Sequence, residues 1–183
     1  KIGHYTPDES NKIINDCKPN CDLTFFHINI RSLNANYIKL LELLNLYDNN
    51  FDVILWSELW STNLDYFSNI FPNYNFLYSP PSSQNTGGVG LFINTRLSYK
   101  IISKSSDNNF FGFLAEYMVV DIFNCNTTLR IYLFYRHPSK PINDFTDLFF
   151  KFIDSCRPLK KSFIFGDINI DLLKYDINSN VTH

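Results

Sequence analysis

Leu23-Thr24-Phe25-Phe26-His27-Ile28 begins the stretch that decides the fold. It is a short, mostly apolar run and reads as a buried strand. From Ser32 onward, Leu33, Tyr37, Leu40, Leu41 and Leu44 recur at helical spacing and form one apolar stripe, so a helix follows. Asp48-Asn49-Asn50 closes that helix, and Phe51-Asp52-Val53-Ile54-Leu55-Trp56 is a second apolar run. Strand, helix, strand over this length is a β–α–β unit, whose crossover implies parallel pairing.

Working outward, a short helix is expected around Leu64 to Ile70, then a strand from Tyr74 to Tyr78. Pro80 to Gly88 is rich in Pro, Ser, Asn and Gly and reads as an exposed loop. Strands are expected at Val89–Ile93, Leu114–Phe123 and Leu129–Phe134, the last two joined by a hairpin turn at Asn124-Cys125-Asn126-Thr127-Thr128. Phe145, Leu148, Phe149, Phe152, Ile153 and Cys156 mark another helix, with Asn143 as N-cap and Pro158 as its stop. Ser162–Phe165 is the final strand. Residues 1–21 are polar and aperiodic and read as a leader or linker, leaving one domain over 22–183. The expected architecture is α/β, a layered α/β sandwich with mixed sheets, incomplete at its C-terminus.

Composition narrows the function classes. The chain has 183 residues, 45% hydrophobic and 19% charged, which suits a globular domain with a sizeable core. Net charge is −2 and the pI near 6.1, so no overall basic field attracts nucleic acid. That argues against a simple DNA-binding module and leaves room for an enzyme that grips a phosphodiester locally. Cys17, Cys21, Cys125 and Cys156 are scattered and read as free intracellular thiols, since Cys17-x-x-x-Cys21 has no second metal pair. No apolar run reaches the roughly 20 residues of a membrane span, and the polar first residues do not resemble a signal peptide. The sequons at Asn126 and Asn180 carry little meaning in an intracellular protein. A start at Lys1 and an end at Val181-Thr182-His183 suggest part of a longer polypeptide.

Four of the strand runs end in residues able to do chemistry. These are Asn29, Ser57-Glu58, Tyr135-Arg136-His137 and, after Gly166, Asp167-Ile168-Asn169. If the strands neighbour one another, two carboxylates, two carboxamides and a phenol converge on one rim, where open α/β sheets collect their ligands. Carboxylate and amide oxygens are hard ligands suited to Mg²⁺ rather than zinc. Each also has a simpler reading. Asn29 starts the turn into a helix, Glu58 is a solvated loop acid, Tyr135 is one more rim aromatic, and Asp167-x-Asn169 is an Asx turn. Their joint occurrence is the informative part. Arg31, Arg136 and Lys140 fall on the same expected rim as phosphate contacts or ordinary surface cations. His27 alternates with core residues and reads as a satisfied histidine, His137 as a substrate-side or structural one. Glu116, in an apolar strand, either caps an edge or braces the site.

These residues resemble the endonuclease/exonuclease/phosphatase superfamily. The likeness rests on Ile28-Asn29-Ile30-Arg31-Ser32-Leu33, Ser57-Glu58-Leu59-Trp60, Tyr135-Arg136-His137-Pro138 and Gly166-Asp167-Ile168-Asn169. Within it the chain is most similar to the apurinic/apyrimidinic-like endonuclease domain of non-LTR retrotransposons. Gly87-Gly88-Val89-Gly90-Leu91-Phe92-Ile93 and Ile170-Asp171-Leu172-Leu173 add to that likeness, which runs from about Leu23 to Tyr175.

The resemblance implies a Mg²⁺-dependent (or Mn²⁺-dependent) nuclease that nicks target DNA for reverse transcription. It also implies a nuclear setting, no membrane, and a downstream reverse transcriptase domain. Glu58 would be the main metal ligand with Asn29 beside it. Tyr135 and Asn169 would contact the scissile phosphate, and Asp167 would orient the attacking water or assist the leaving group. Arg31, Arg136 and His137 would be substrate contacts. The family's C-terminal Ser-Asp-His motif has no counterpart here, and His183 comes too soon after Asp167 to take that part. The chain alone is therefore expected to be inactive or nearly so, with apolar surface left open at the second sheet. A small-substrate phosphatase of the same superfamily and a non-catalytic relic or binding module are the competing readings.

Overall fold

The computed structural model describes residues 5–17, 23–47, 51–83, 85–124, 127–157 and 159–171. Two four-stranded mixed sheets face each other, with one helix packed on each outer side. The first sheet has order β1 (Phe25–Asn29), β2 (Val53–Ser57), β4 (Val89–Asn94), β3 (Tyr74–Ser79). The second has order β5 (Ser98–Lys104), β6 (Ala115–Asn124), β7 (Thr127–Arg136), β8 (Ser162–Asp167). β1 pairs with β2 and β7 with β8 in parallel; every other neighbouring pair is antiparallel. The layered sandwich with mixed sheets is as expected from the sequence.

Strand alternation divides each sheet between two cores. Val53 and Leu55 point with Val89, Leu91 and Ile93 toward Met118, Val120, Ile131 and Leu133 of the facing sheet. Ile54 and Trp56 point the other way, onto Leu33 and Leu40 of α2 (Leu33–Asn45). On the far side, Tyr117, Val119, Tyr132 and Phe134 meet Phe145 and Phe152 of α3 (Ile142–Ser155). The stripe of α2 thus does what its spacing implies, and Ser32 caps it through Oγ and the Ala35 amide at 3.3 Å.

Four features differ from the sequence expectation. Residues 7–17 are not an aperiodic linker but α1 (Pro7–Cys17). Thr6 and Glu9 form a reciprocal capping box there, with the Thr6 amide donating to Glu9 at 2.8 Å and the Glu9 amide to Thr6 Oγ1 at 3.3 Å. Asn11 then docks the helix by donating from Nδ2 to the Leu46 carbonyl at 3.0 Å. β5 escaped notice because it is an edge strand with a register shift between Ile101 and Ser103 and an incompletely buried pattern. Asn143 does not cap α3, whose N-cap position is Pro141. Finally, β8 runs through Gly166 and Asp167 rather than stopping at Phe165. The expected stops at Asp48–Asn50 and Pro158 lie outside the described residues, as do Cys21, Cys125, both sequons, residues 172–175 and His183. Cys156 is a free thiol, and burial pushes its pKa up.

The topology places the rim. β8 packs across the sandwich against β1 and β2, with the Phe25 and Phe165 rings 5.5 Å apart. The two parallel pairs therefore finish side by side. β8 also presents Phe163 and Ile164 to solvent, both about half exposed.

Candidate active site

Three strand ends meet through one amide. Asn29 closes β1, opposite Ser57 of β2, and its Nδ2 donates to Glu58 Oε1 at 2.8 Å and to Asp167 Oδ2 at 2.7 Å. Its Oδ1 accepts from the Arg31 amide at 3.2 Å. Glu58 leaves β2 in the left-handed region (φ 62°), and its backbone is stitched on both flanks. Ser32 donates to the Glu58 carbonyl at 2.8 Å, while Trp60 donates to the Gly87 carbonyl at 3.0 Å. The Trp60 indole Nε1 then donates to Glu58 Oε2 at 3.1 Å. Arg31, Ser32, Glu58, Trp60 and Asn169 all have positive φ, so backbone strain concentrates at this rim, as it does at functional sites.

Asp167 pairs in register with Tyr135. Gly166, just before it, is obligatory: with φ 140°, a Cβ there would lie 1.9 Å from the Phe134 carbonyl oxygen. Asp167 Oδ1 accepts the Asn169 amide at 3.0 Å, so the Asx turn is real and coexists with the site. Asn169 Nδ2 donates to the Arg136 carbonyl at 2.7 Å. Burial raises the Tyr135 phenol; a Thr86 hydrogen bond opposes this, and the charges of Glu58, Asp167 and Glu116 add to it. Asn29, Glu58, Tyr135, Asp167 and Asn169 thus come together as expected.

No protein-family model matches the sequence. No curated protein matches it either. Solved structures do. D. rerio TDP2 complexed with a single-strand DNA product aligns at TM-score 0.58 and 15% identity, over 81% of this chain and 61% of that one. The endonuclease domain of TRAS1, a telomere-specific non-LTR retrotransposon, aligns at 0.55 and 14%, over 80% and 60%. The human nocturnin catalytic domain aligns at 0.56 and 13%, over 86% and 69%. An endonuclease/exonuclease/phosphatase family protein from Bacteroides thetaiotaomicron aligns at 0.55. The chain has the endonuclease/exonuclease/phosphatase fold. It spans 60%, 61% and 69% of the TRAS1, TDP2 and nocturnin chains.

On this endonuclease/exonuclease/phosphatase scaffold, two expected substrate contacts have other work. Arg136 is only 1% exposed, and its guanidinium donates to the carbonyls of Ile168, His137, Lys140 and Asn169. It ties the loop after β7 to the loop after β8, and four of its five N–H donors are spent on these carbonyls. His137 is buried too, with Nε2 3.0 Å from Glu116 Oε1. Arg31 stays exposed at the rim, and Lys140 is half buried there. His27 is a satisfied rim histidine, 3.4 Å from Ser57 Oγ; burial lowers its pKa, against the pull of Asp167.

Glu116 braces the site. At 1% exposure it accepts from Ser82 N at 2.9 Å, Ser82 Oγ at 2.7 Å and His137, pinning the Pro80–Gly88 loop. A Cβ on Gly87 would come within 2.6 Å of Glu116 Oε2, so the loop can lie this close only with glycine there. Burial works to raise the Glu116 carboxyl, but the hydrogen bonds from His137 and Ser82 outweigh it and hold the pKa low. Thr86 and Trp60 were not singled out from sequence. The spacing of Trp60 two residues after Glu58 was the available signal.

The donor set fits a small, hard cation. Glu58 and Asp167 share the Asn29 amide, and among the described residues neither forms an ion pair. No group of three or more His, Cys, Asp or Glu gathers among the described residues. Mg²⁺ suits such a site, since it takes one or two carboxylates and keeps several waters.

Proposed function

We propose that this chain is the DNA-nicking phosphodiesterase domain of a retrotransposon polyprotein, dependent on Mg²⁺ or Mn²⁺. The observation that carries this reading is the Glu58–Asn29–Asp167 corner, two carboxylates joined by one amide and in no ion pair among the described residues. The shared fold with the TRAS1 endonuclease domain and with a DNA-complexed TDP2 supports the substrate class. A nuclear setting and a downstream reverse transcriptase belong to the same reading.

Glu58 would hold the cation, with Asn29 able to add only its Oδ1, the atom that accepts the Arg31 amide. The cation when bound supplies charge stabilisation for a phosphoryl group and its leaving oxygen. Asp167 accepts hydrogen bonds at both oxygens, a carboxylate fixed to orient an attacking water. Tyr135, kept protonated by burial, donates to a non-bridging phosphate oxygen. Asn169 is held by Arg136 at the mouth of an open groove of about 590 Å³ that also runs past His27, Asn29 and Asp167. The family's Ser-Asp-His element would come from the rest of the polyprotein.

Nicking of supercoiled plasmid tests this, with the 183-residue chain beside a form extended through its natural downstream sequence. The extended form is expected to nick with Mg²⁺, and Asp167→Ala in it to lose at least about 10²-fold. An extended form that does not nick, or Asp167→Ala that nicks normally, contradicts the assignment.

A further inference from the structure

We propose that a nucleobase subsite adjoins the phosphodiester corner, with Phe113 as its stacking face and Lys140 and Thr86 as its polar wall. It rests on the DNA-nuclease reading above and adds a binding determinant outside the reacting groups. Phe113 is 70% exposed, the most exposed large apolar side chain among the described residues. Its neighbours are not loose: Phe110, Phe111 and Leu114 pack into the cluster beneath α3, with the Phe111 and Phe152 rings 5.2 Å apart. The Leu114 carbonyl accepts the His137 amide at 3.0 Å, which fastens this segment to the rim after β7. Gly112, at φ 57° with nothing within 4 Å of where a Cβ would lie, turns the chain so that Phe113 faces out. A segment anchored on both sides thus presents one aromatic ring to solvent.

That ring lines a pocket of about 300 Å³ with His137, Lys140, Ser83 and Thr86. An aromatic face, a cation and two hydroxyls together match the chemistry of a nucleotide. A base stacks on the ring irrespective of its identity, while the ammonium and hydroxyls meet phosphate or sugar oxygens. The pocket also shares a wall with the reacting corner. Thr86 hydrogen-bonds the Tyr135 phenol, and the His137 ring stands edge-on to the Tyr135 ring with centroids 5.2 Å apart. Glu116 holds His137 from below. A base seated on Phe113 therefore belongs to a nucleotide next to the scissile phosphate.

The test reads stacking rather than turnover. 2-Aminopurine is placed in turn at each position of a short DNA strand, and its fluorescence is followed on binding the 183-residue chain without divalent cation. One position is expected to be quenched strongly. Phe113→Ala should abolish that quench and weaken binding about tenfold, and Phe113→Trp should restore both. A tetrahydrofuran spacer at the same position should make wild type and Phe113→Ala bind equally. DNA binding with the same quench in Phe113→Ala overturns the subsite alone. No DNA binding by the wild type overturns the subsite, while the nicking assay on the extended form decides the nuclease reading separately. An unchanged melting temperature in Phe113→Ala confirms that folding is intact.

Discussion

At the starting ends of the parallel strands, buried carboxylates are matched by arginines. At the finishing ends the half-buried Glu58 and Asp167 form no ion pair among the described residues. Asp52, just before β2, pairs with Arg96, and Asp121 of β6 pairs through both oxygens with Arg130 at 2.6 and 2.8 Å. Arg130 also reaches the carbonyls of Cys156 and Arg157, fixing the end of α3. Glu58 and Asp167 instead divide the two protons of one amide. The same residue types hold the fold at one end and, on the proposed function, would take a cation at the other. Removing one partner of a buried ion pair is costly, so the matched end is where a single substitution should do most damage to the fold.

Breaking the matched end should have the largest effect on stability. Asp121→Ala leaves Arg130 buried without its partner and is expected to cost about 3–5 kcal/mol, read by urea denaturation. A loss under about 1 kcal/mol would mean that the two ends do not differ as described. Glu116 lies between the extremes, a braced carboxylate at the reactive end. Glu116→Gln is expected to cost about 1–3 kcal/mol at neutral pH, because Ser82 and His137 lose a charged acceptor. Its pKa is held below the ordinary 4.5, so the folded state binds that proton more weakly than the unfolded chain. The stability it contributes is present above about pH 4.5 and is lost as pH falls through the lowered value. Wild type should therefore show an acid limb there that Glu116→Gln flattens in a melting-temperature series; an identical limb in both would remove Glu116 as its source.

How much of this was legible in sequence depends on the distance over which each feature is decided. The α2 stripe from Leu33 to Leu44 and the alternation in β2 and β7 are local patterns, and they gave the layers. Thr6-Pro7-Asp8-Glu9 is an equally local capping box, so α1 is legible in the sequence. β5 was not readable, because an edge strand with Ser and Lys along it keeps no clean period. At the site, Asn29, Glu58, Tyr135, Asp167 and Asn169 were found as a set from strand ends. Arg136 was misplaced because its burial depends on the Ile168 and Asn169 carbonyls, which only the β7–β8 pairing brings to it. The grip of Glu116 on Ser82 and His137 likewise spans loops that no spacing rule connects.

On the proposed function, the finishing end takes a divalent cation and the starting end does not. Mg²⁺ or Mn²⁺ titration by calorimetry, paired with melting temperature, tests it most directly. The wild type and Arg96→Ala are expected to bind one divalent cation and to gain melting temperature as its concentration rises. Glu58→Gln is expected to fold within about 1 kcal/mol of the wild type without cation and to lose the response. A wild type that neither binds nor is stabilised, or a Glu58→Gln protein that responds as the wild type does, would contradict the account.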